Sequence, residues 1–428
     1  MDPSWSFDSF FGPDSASLWM WAIGTVITVA GLIWMGIPAY IQALASVVQT
    51  KAMMKANMRE EAPPPLLGVP SPAALPSPTT SPGQPPAPST SAPRTAPTPT
   101  EHKTTPPPRW SPIRVLHLSD LHFSATTPWD PGTVLGCLAA DVVKLRAEIG
   151  EIDLIVLTGD IANFGTADEY TQATTWLTKH LASSAGVTPA QIRIVPGNHD
   201  VHRGSITRTA NVLAKGLLSE DDPQQAIAEV LSSESERAPL LARQSAYLTF
   251  AQTFHPGLTV PWWSERSKIR GLTVHLAGFN SALFSASADD GKTVLLSQWQ
   301  CNALLAGANP ADLTIALLHH PFAYLHECDR GSEEAILRRC GVILNGHLHQ
   351  PKARIASAPA PDVLQLTAGA SYAGSKWANV YQLLELDPMR GEARAHFRVW
   401  EGHDWIPDLN RYQKALSLIH ISEPTRPY

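Results

Sequence analysis

Residues 154–160 read LIVLTGD, an apolar run of aliphatic residues that ends in a glycine and a carboxylate. Four other segments end strand-like apolar runs in a similar way: HLSDLH at 117–122, GNHD at 197–200, LHHP at 318–321 and GHLH at 346–349. Their polar side chains are typical metal ligands. Together the five segments predict one shared metal site with seven ligands: Asp120, His122, Asp160, Asn198, His319, His347 and His349.

The spacing within the segments predicts how some of these ligands are used. Asp120 and His122 are one residue apart, so in an extended strand end both side chains point to the same side, toward one ion. Asp160 follows a glycine at a strand end and has two carboxylate oxygens, which suits it to bridge two ions. The amide of Asn198 would bind a cation without adding negative charge. The predicted site therefore stays electropositive and attracts a phosphate anion.

Residues beside the ligands are candidates for catalysis and substrate binding. His199 is placed to stabilise a transferring phosphoryl group or to protonate the leaving oxygen. Asp200 would orient His199 or, as an alternative, cap the segment that follows. His202 and Arg203 are close enough in the sequence to contact a substrate phosphate.

Four more residues are expected to have supporting or structural roles. His320 is predicted to hold its neighbour in place rather than to bind metal. His117 lies inside a strand and is expected to be packed there. Trp262 and Trp263 would either stack on a base or, as the favoured alternative, contact the core or a lid.

The ligand set also predicts the metals. Carboxylate, amide and imidazole ligands without thiolate favour two divalent ions of Mn, Fe, Zn or Co over a structural zinc site. Two neighbouring ions lower the pKa of a bridging water and hold the attacking and transferring oxygens. The predicted chemistry is the hydrolysis of phosphate esters.

These segments resemble the motifs of the calcineurin-like metallophosphoesterase superfamily, which are Asp-x-His, Gly-Asp, Gly-Asn-His-Asp, His and Gly-His-x-His. The resemblance covers about residues 113–405. It implies an α/β (α+β) fold, a four-layer αββα sandwich of two mixed sheets with the metals at strand ends. It also implies that His199 is catalytic. The ion-binding sets that it implies are Asp120, His122, Asp160 and His349 for the first ion, and Asp160, Asn198, His319 and His347 for the second.

Two departures narrow this resemblance. Asn163 stands where purple acid phosphatases have a tyrosine ligand, which argues against a tyrosinate-bound ferric site. Residues 159–165 read GDIANFG, whereas serine/threonine protein phosphatases carry Gly-Asp-x-x-Asp-Arg-Gly. This difference argues against a phosphoprotein phosphatase. The chain looks most similar to bacterial phosphodiesterase-like members, including the class III cyclic nucleotide phosphodiesterases.

The wider pattern of strands and helices predicts one large domain over residues 113–409. Apolar, β-branched-rich runs predict strands at 114–119, 154–158, 192–195, 273–277, 313–318, 342–344 and 363–367. Amphipathic patterns predict helices at 133–149 and 166–181. Residues 201–271 are not needed for the metal site and are expected to form an insertion, either a cap or a dimer contact, that determines substrate choice.

An uncharged apolar run at 18–37 predicts a transmembrane helix, because about twenty residues span the hydrocarbon core. The preceding residues 1–17 carry aspartates and no Lys or Arg, unlike a signal peptide. The juxtamembrane segment 38–61 carries Lys51, Lys55 and Arg59. This bias places the N-terminus outside and the large domain in the cytoplasm, at an inner or plasma membrane.

Two segments and the cysteines complete the expected organisation. Residues 62–112 are rich in Pro, Ser, Thr and Ala and predict a disordered linker. Residues 416–428 resemble translated adapter sequence and are expected to be non-native. The cysteines have no paired spacing and are assigned no function: Cys137, Cys301, Cys328 and Cys340.

The favoured hypothesis is a membrane-anchored, metal-dependent phosphodiesterase that acts on a nucleotide or another small phosphodiester. Three alternatives remain open: a pyrophosphohydrolase for a membrane lipid precursor, a nuclease, and a non-catalytic sensor or scaffold tethered to the membrane. The formal net charge of -6 argues against a broad nucleic-acid-binding surface. The sequence indicates no oligomeric state.

Overall fold

A computed structural model describes residues 111–126, 130–287, 294–356, 362–372, 374, 378–408 and 419–420. The predicted transmembrane helix at 18–37 lies outside these ranges, as do nearly all of the predicted linker and most of the predicted non-native tail. Within the described ranges, no helix is both long enough and apolar enough to span a bilayer.

Thirteen strands in the described residues form two mixed sheets. The strands of the seven-stranded sheet are β1 Ile113–Leu118, β2 Leu154–Thr158, β3 Ile192–Val195, β10 Val380–Asp387, β11 Glu392–Trp400, β12 Trp405–Pro407 and β13 Ile419–His420. Their order is β12-β11-β10-β1-β2-β3, with β13 also paired to β11. The strands of the six-stranded sheet are β4 Trp263–Ile269, β5 Leu272–Gly278, β6 Leu313–Leu317, β7 Val342–Asn345, β8 Lys352–Ala356 and β9 Val363–Thr367. Their order is β4-β5-β6-β7-β9-β8.

The helices lie between the strands in the sequence. They are α1 Asp130–Ile149, α2 Ala167–Trp176, α3 Ala182–Ala185, α4 Arg208–Leu217, α5 Pro223–Ser232, α6 Glu234–Leu241, α7 Ser245–Ala251, α8 Gln298–Leu305 and α9 Arg330–Leu337. A π-helical turn, Leu177–Leu181, joins α2 to α3. Short 3-10 turns occur at Pro189–Gln191, Arg203–Ser205, Ala242–Gln244, Phe322–Tyr324 and Glu327–Asp329.

Alternation along the strands divides the interior into three apolar clusters. In β1, Val115 packs with residues of the six-stranded sheet, whereas Leu116 packs with α1 and α2. In β6, Leu317 likewise faces the first sheet, and Ala316 packs with α8 and α9. The two sheets therefore share an apolar layer, and helices cover the outer face of each. This is the order of layers that the sequence resemblance implies.

The insertion is shorter than predicted. The described residues 208–251 carry helices α4 to α7, but β4 is an edge strand of the six-stranded sheet and pairs antiparallel with β5. Trp262 and Trp263 are buried in the apolar clusters, and the indole of Trp263 donates a hydrogen bond to the carbonyl of Ile194. The core alternative predicted for both tryptophans is confirmed.

Candidate metal centre

The predicted ligands follow the carboxyl ends of parallel strands. Asp120 and His122 come after β1, and Asp160 comes after β2. His319 follows β6, and the loop after β7 carries the last two histidines. Because parallel strands end at the same edge of a sheet, and because the two sheets share a layer, these loops meet at one place. Asn198 joins them from the loop after β3.

Five of the seven predicted ligands have a left-handed backbone. Their φ angles lie between 45° and 70°, a region that side chains other than glycine seldom adopt. The surrounding structure must impose these conformations, and strained backbone of this kind clusters at functional sites. The five residues are Asp120, His122, Asp160, His347 and His349.

Glycines allow the loops to approach one another closely. A Cβ atom added to Gly197 would lie 2.2 Å from Oδ1 of Asp160. One added to Gly346 would lie 1.9 Å from Oγ of Ser119. Both glycines are therefore required by the packing of the site and not by its chemistry.

One group of donor atoms surrounds Asp120, which is fully buried. Oδ1 of Asp120 lies 3.2 Å from Nε2 of His349 and 4.0 Å from Nε2 of His122. The other carboxylate oxygen accepts a hydrogen bond of 3.2 Å from the backbone N–H of His347. Donor atoms of Asp120, His122 and His349 are close enough together to hold one metal ion.

A second group surrounds Asp160. Its Oδ2 lies 3.3 Å from Nε2 of His319, and that nitrogen lies 3.3 Å from Nδ1 of His347. The Nδ1–H of His319 donates to the carbonyl of Thr158 at 2.6 Å, which directs Nε2 at the site. Metal–nitrogen bonds of about 2.0–2.1 Å separate two neighbouring ligand atoms by about 3 Å. The protein thus holds these donors at the spacing of metal ligands.

Buried polar atoms of two residues show that the donor set fits metal ions. Oδ1 of Asn198, on a residue that is 1% exposed, has no hydrogen-bond partner among the described residues. Within the same part of the chain, neither ring nitrogen of His122 has one. Buried polar groups without a partner are costly, and cations are natural partners for an amide oxygen and an imidazole.

Burial and charge shift the pKa values of these groups strongly. Burial alone would lower the pKa of His319, but the carboxylate of Asp160 outweighs it and raises the pKa to about 9. Burial also opposes ionisation of Asp160, yet His319 holds its pKa well below the ordinary value. Burial lowers the pKa of His122 and of His347 to about 4, so both rings are neutral at pH 7 and able to bind a cation.

His199 lies at the edge of this centre, partly exposed. Its backbone N–H donates to Oδ1 of Asp160 at 2.8 Å, and its ring stands edge-on to His122 at a centroid distance of 4.8 Å. Nδ1 lies 2.8 Å from the carbonyl oxygen of Asn163. Because a carbonyl only accepts, Nδ1 carries a proton, and the other nitrogen, Nε2, is available to a substrate.

The prediction that Asp200 orients His199 is wrong. The carboxylate of Asp200 is fully buried and accepts hydrogen bonds from the backbone N–H groups of Ala162 and Gly197 and from the hydroxyl of Tyr170. Burial, together with the charge of Asp160, raises its pKa to about 6. Asp200 therefore fastens the two loops together, and the carbonyl of Asn163 orients His199 instead.

The prediction that His117 is packed inside its strand is confirmed, whereas the supporting role of His320 stays a prediction. His320 is buried, its Nδ1 lies 2.9 Å from the hydroxyl of Ser281, and its ring lies beside those of His319 and His347. His117 is packed inside β1, with its Nε2 2.9 Å from the hydroxyl of Thr158. Burial lowers the pKa of His117 to about 3, so this ring is neutral.

His202 and Arg203 line a separate small cavity of about 270 Å³, next to the loop that carries His199. Its walls also include Asn163 and the half-exposed ring of Phe164. Phe164 was not predicted as a site residue, and neither was Asn163 as the group that orients His199. The only signal for either residue is its position three or four residues after Asp160.

The family model for calcineurin-like phosphoesterases matches residues 113–351, more than half of the chain. The uncharacterized metallophosphoesterase-like protein YydB of Bacillus subtilis is 24% identical over 298 residues, which cover 67% of this chain. The matched region spans 60% of that relative's length.

Solved structures give weak similarities. A conserved protein of Streptococcus pneumoniae, described as a predicted phosphoesterase, has a TM-score of 0.26 and 13% identity; the match covers 69% of this chain and 97% of that one. A hypothetical protein of Thermus thermophilus has a TM-score of 0.33 and 14% identity, with coverage of 73% and 100%. The assignment rests on the family model and not on these structures. The chain belongs to the calcineurin-like phosphoesterase family.

Proposed function

We propose that the protein is a metal-dependent phosphoric ester hydrolase that acts on a small phosphodiester, such as a nucleotide. The observation that carries the proposal is the convergence of six aspartate and histidine side chains from both sheets, with buried atoms of Asn198 and His122 that have no hydrogen-bond partner among the described residues. A structural site has no need of a partly exposed histidine beside it, and His199 is such a residue.

The proposed centre holds two divalent ions of Mn, Fe, Zn or Co. When bound, such ions activate a water and offset the negative charge of a phosphate. The proposed ligand sets are Asp120, His122, Asp160 and His349 for one ion, and Asp160, Asn198, His319 and His347 for the other.

The protein groups outside the ligand sets have their own tasks in this proposal. His199, held through its Nδ1–H, presents Nε2 to the phosphoryl group or to the leaving oxygen, and in its doubly protonated form the ring donates the Nε2 proton there. Asn163 holds the ring in that orientation through its carbonyl. The cavity beside them, lined by Phe164, His202 and Arg203, gives room for the second substituent of a diester.

The first experiment is to purify the full-length chain in mild detergent, measure its metal content, and compare Mn-dependent hydrolysis of bis(p-nitrophenyl) phosphate with that of p-nitrophenyl phosphate. We expect about two metals per chain and preferential cleavage of the diester. Preference for the monoester would contradict the diester assignment. Bound metal without cleavage of either ester would favour the scaffold.

We also propose that residues 18–37 anchor the domain to the membrane with its catalytic part in the cytoplasm. Support comes from the uncharged apolar run and the basic residues that follow it. A cysteine introduced at Ser81 should react with a membrane-impermeant maleimide only after the cells are permeabilised. Labelling in intact cells would indicate the opposite topology. Full extraction of the chain by carbonate would show that residues 18–37 do not anchor it in the membrane.

A further inference from the structure

Arg243 lies between two loops that lead to the metal centre. It is in the 3-10 turn Ala242–Gln244, and its carbonyl accepts a hydrogen bond of 2.9 Å from the backbone N–H of His202. His202 is four residues beyond Asn198. This contact ties the turn to the loop that follows β3.

The neighbour of Arg243 ties the same turn to the second loop. The side-chain amides of Gln244 and Asn280 exchange two hydrogen bonds, of 2.8 and 3.3 Å. Asn280 precedes Ser281, whose hydroxyl lies 2.9 Å from Nδ1 of His320. Arg243 is therefore held by side chains and backbone that continue directly to the candidate centre on both sides.

The guanidinium of Arg243 is buried with most of its donors unused. The residue is 1% exposed, and Nη1 donates to the carbonyl of Ser285 at 3.3 Å. Nε and Nη2 have no hydrogen-bond partner among the described residues, and no described carboxylate forms an ion pair with this arginine. The hydroxyl of Ser285, on a residue that is 3% exposed, has no described partner either.

The buried guanidinium is suited to bind an oxyanion. Burial lowers the pKa of Arg243, but a guanidinium remains protonated in proteins, so the fold buries a positive charge without a counterion among the described groups. Nε and Nη2 form one edge of the guanidinium, the edge that binds two oxygens of a single carboxylate or phosphate. The bond from Nη1 to Ser285 fixes the plane of that edge.

We propose that Arg243 and Ser285 form a buried binding site for a phosphate-type oxyanion, separate from the predicted metal ligands. Two sources share this chemistry: free inorganic phosphate, and a phosphate group of the substrate. The site does not depend on metal, so it is tested first in the full-length chain treated with chelator.

The test is thermal unfolding of the chelator-treated protein in rising inorganic phosphate, with potassium chloride at matched ionic strength. Phosphate should raise the Tm of the wild type by several degrees, and the Arg243→Met variant should lose this response. Without phosphate, the variant should unfold at or above the wild-type Tm, because the unpaired charge is gone. The exposed Arg208, changed to Met, is the matched control and should keep the full response.

Two further variants cover the case in which Arg243→Met does not fold. Arg243→Lys keeps the charge but lacks the two-donor edge, so its apparent phosphate affinity should fall by about tenfold or more. Ser285→Ala should weaken phosphate binding to a smaller extent. A wild-type response that survives in Arg243→Lys, or a wild type without any response beyond that to chloride, would overturn the proposal.

A kinetic comparison then separates the two sources, and this step rests on the proposed function. If the substrate supplies the oxyanion, Arg243→Lys raises KM for a diester that carries an additional phosphate and leaves KM for bis(p-nitrophenyl) phosphate unchanged. If free phosphate is the ligand, both KM values stay the same and only the dependence of the rate on added phosphate changes.

Discussion

Asn198 and His199 are neighbours in the sequence with different surroundings. Asn198 is buried and its Oδ1 meets no hydrogen-bond donor among the described residues, whereas the ring of His199 is partly exposed and oriented by the carbonyl of Asn163. The first arrangement suits a ligand and the second suits a group that transfers a proton. Two single substitutions can therefore separate metal binding from catalysis.

We expect Asn198→Ala to lose about one metal per chain, together with most of the turnover. His199→Ala should keep both metals, since its ring is not among the proposed ligands, and lower kcat by about 100-fold or more. Metal analysis and steady-state kinetics on the same samples measure both quantities. The exposed His403, changed to Ala, is the control. Equal activity of His199→Ala and wild type would exclude a role for His199 in proton transfer.

Gly197 gives a second prediction for a single residue. A methyl group there would come within 2.2 Å of Oδ1 and 2.5 Å of the backbone nitrogen of Asp160, so Asp160 must shift. Gly197→Ala should therefore lose metal and activity together. Gly216→Ala, in α4 with no atom within 4 Å of the added carbon, should instead stabilise the helix by up to about 1 kcal/mol. Normal metal content in Gly197→Ala would show that the loop tolerates the shift.

At the scale of elements, Asp200 joins the loop after β3 to the loop after β2 and to α2. Its carboxylate accepts from the backbone N–H of Ala162, two residues beyond Asp160, and from the hydroxyl of Tyr170 in α2. Both loops carry predicted ligands, so their separation depends on these hydrogen bonds. The ring of Tyr170 also stacks on Phe250 in α7.

Tyr170→Phe tests this connection. The change removes one buried hydrogen bond and keeps the ring packing, so the free energy of unfolding should fall by about 1 kcal/mol. Urea denaturation measures the loss, and KM should not change because no substrate contact is involved. Phe250→Leu, which alters the stacking but not the hydrogen bond, is the comparison. A large rise in KM for Tyr170→Phe would place the tyrosine in substrate binding.

Strands that are mostly buried were easier to predict than a strand with one exposed face. Leu154–Thr158, Ile192–Val195 and Val363–Thr367 have the predicted bounds, because mostly buried strands read as largely apolar runs. Strand β4 alternates between exposed residues and residues that are buried or partly buried, and it contains five polar side chains, so it was assigned to the insertion. Pairing with β5, a property of the tertiary structure, decides its place.

The sequence predicted the ligands of the candidate site but not the residues that support them. Asp and His side chains at strand ends have a local signature, and the predicted aspartate and histidine ligands come together in space. Asn163 orients His199 through its backbone carbonyl, and because every residue has such a carbonyl, the residue type gives no signal of this role. Arg243 is forty-four residues beyond His199 and is brought to the region only by the packing of the insertion.

For the whole molecule, the centre connects the two sheets. His319 from the six-stranded sheet donates to the carbonyl of Thr158 in the seven-stranded sheet, and the backbone of His347 donates to Asp120. The buried carboxylates of Asp120 and Asp160 repel each other across this junction. Bound cations would remove that repulsion and hold both sheets together.

Removal of metal should therefore lower the thermal stability of the entire domain. A free metal concentration of about 100 times the dissociation constant adds about 2.7 kcal/mol to the free energy of unfolding. Chelation should therefore lower the Tm by about 5–10 °C. Calorimetry with and without EDTA gives the difference. His319→Ala should show a smaller difference, because it has lost a ligand. An identical Tm in EDTA and in excess Mn would argue against metal binding to the folded chain.

At residues 120, 122, 160, 347 and 349, the left-handed backbone makes selection for folding and selection for activity favour different residues. Glycine adopts that backbone freely, and asparagine more readily than most other residues, whereas valine and isoleucine are strained there. A mutant library selected only for soluble expression should therefore accumulate glycine and asparagine at these positions. One selected for turnover should return the aspartates and histidines. The difference in residue frequencies between the two libraries would show, at each position, which residues are required for activity and not for folding.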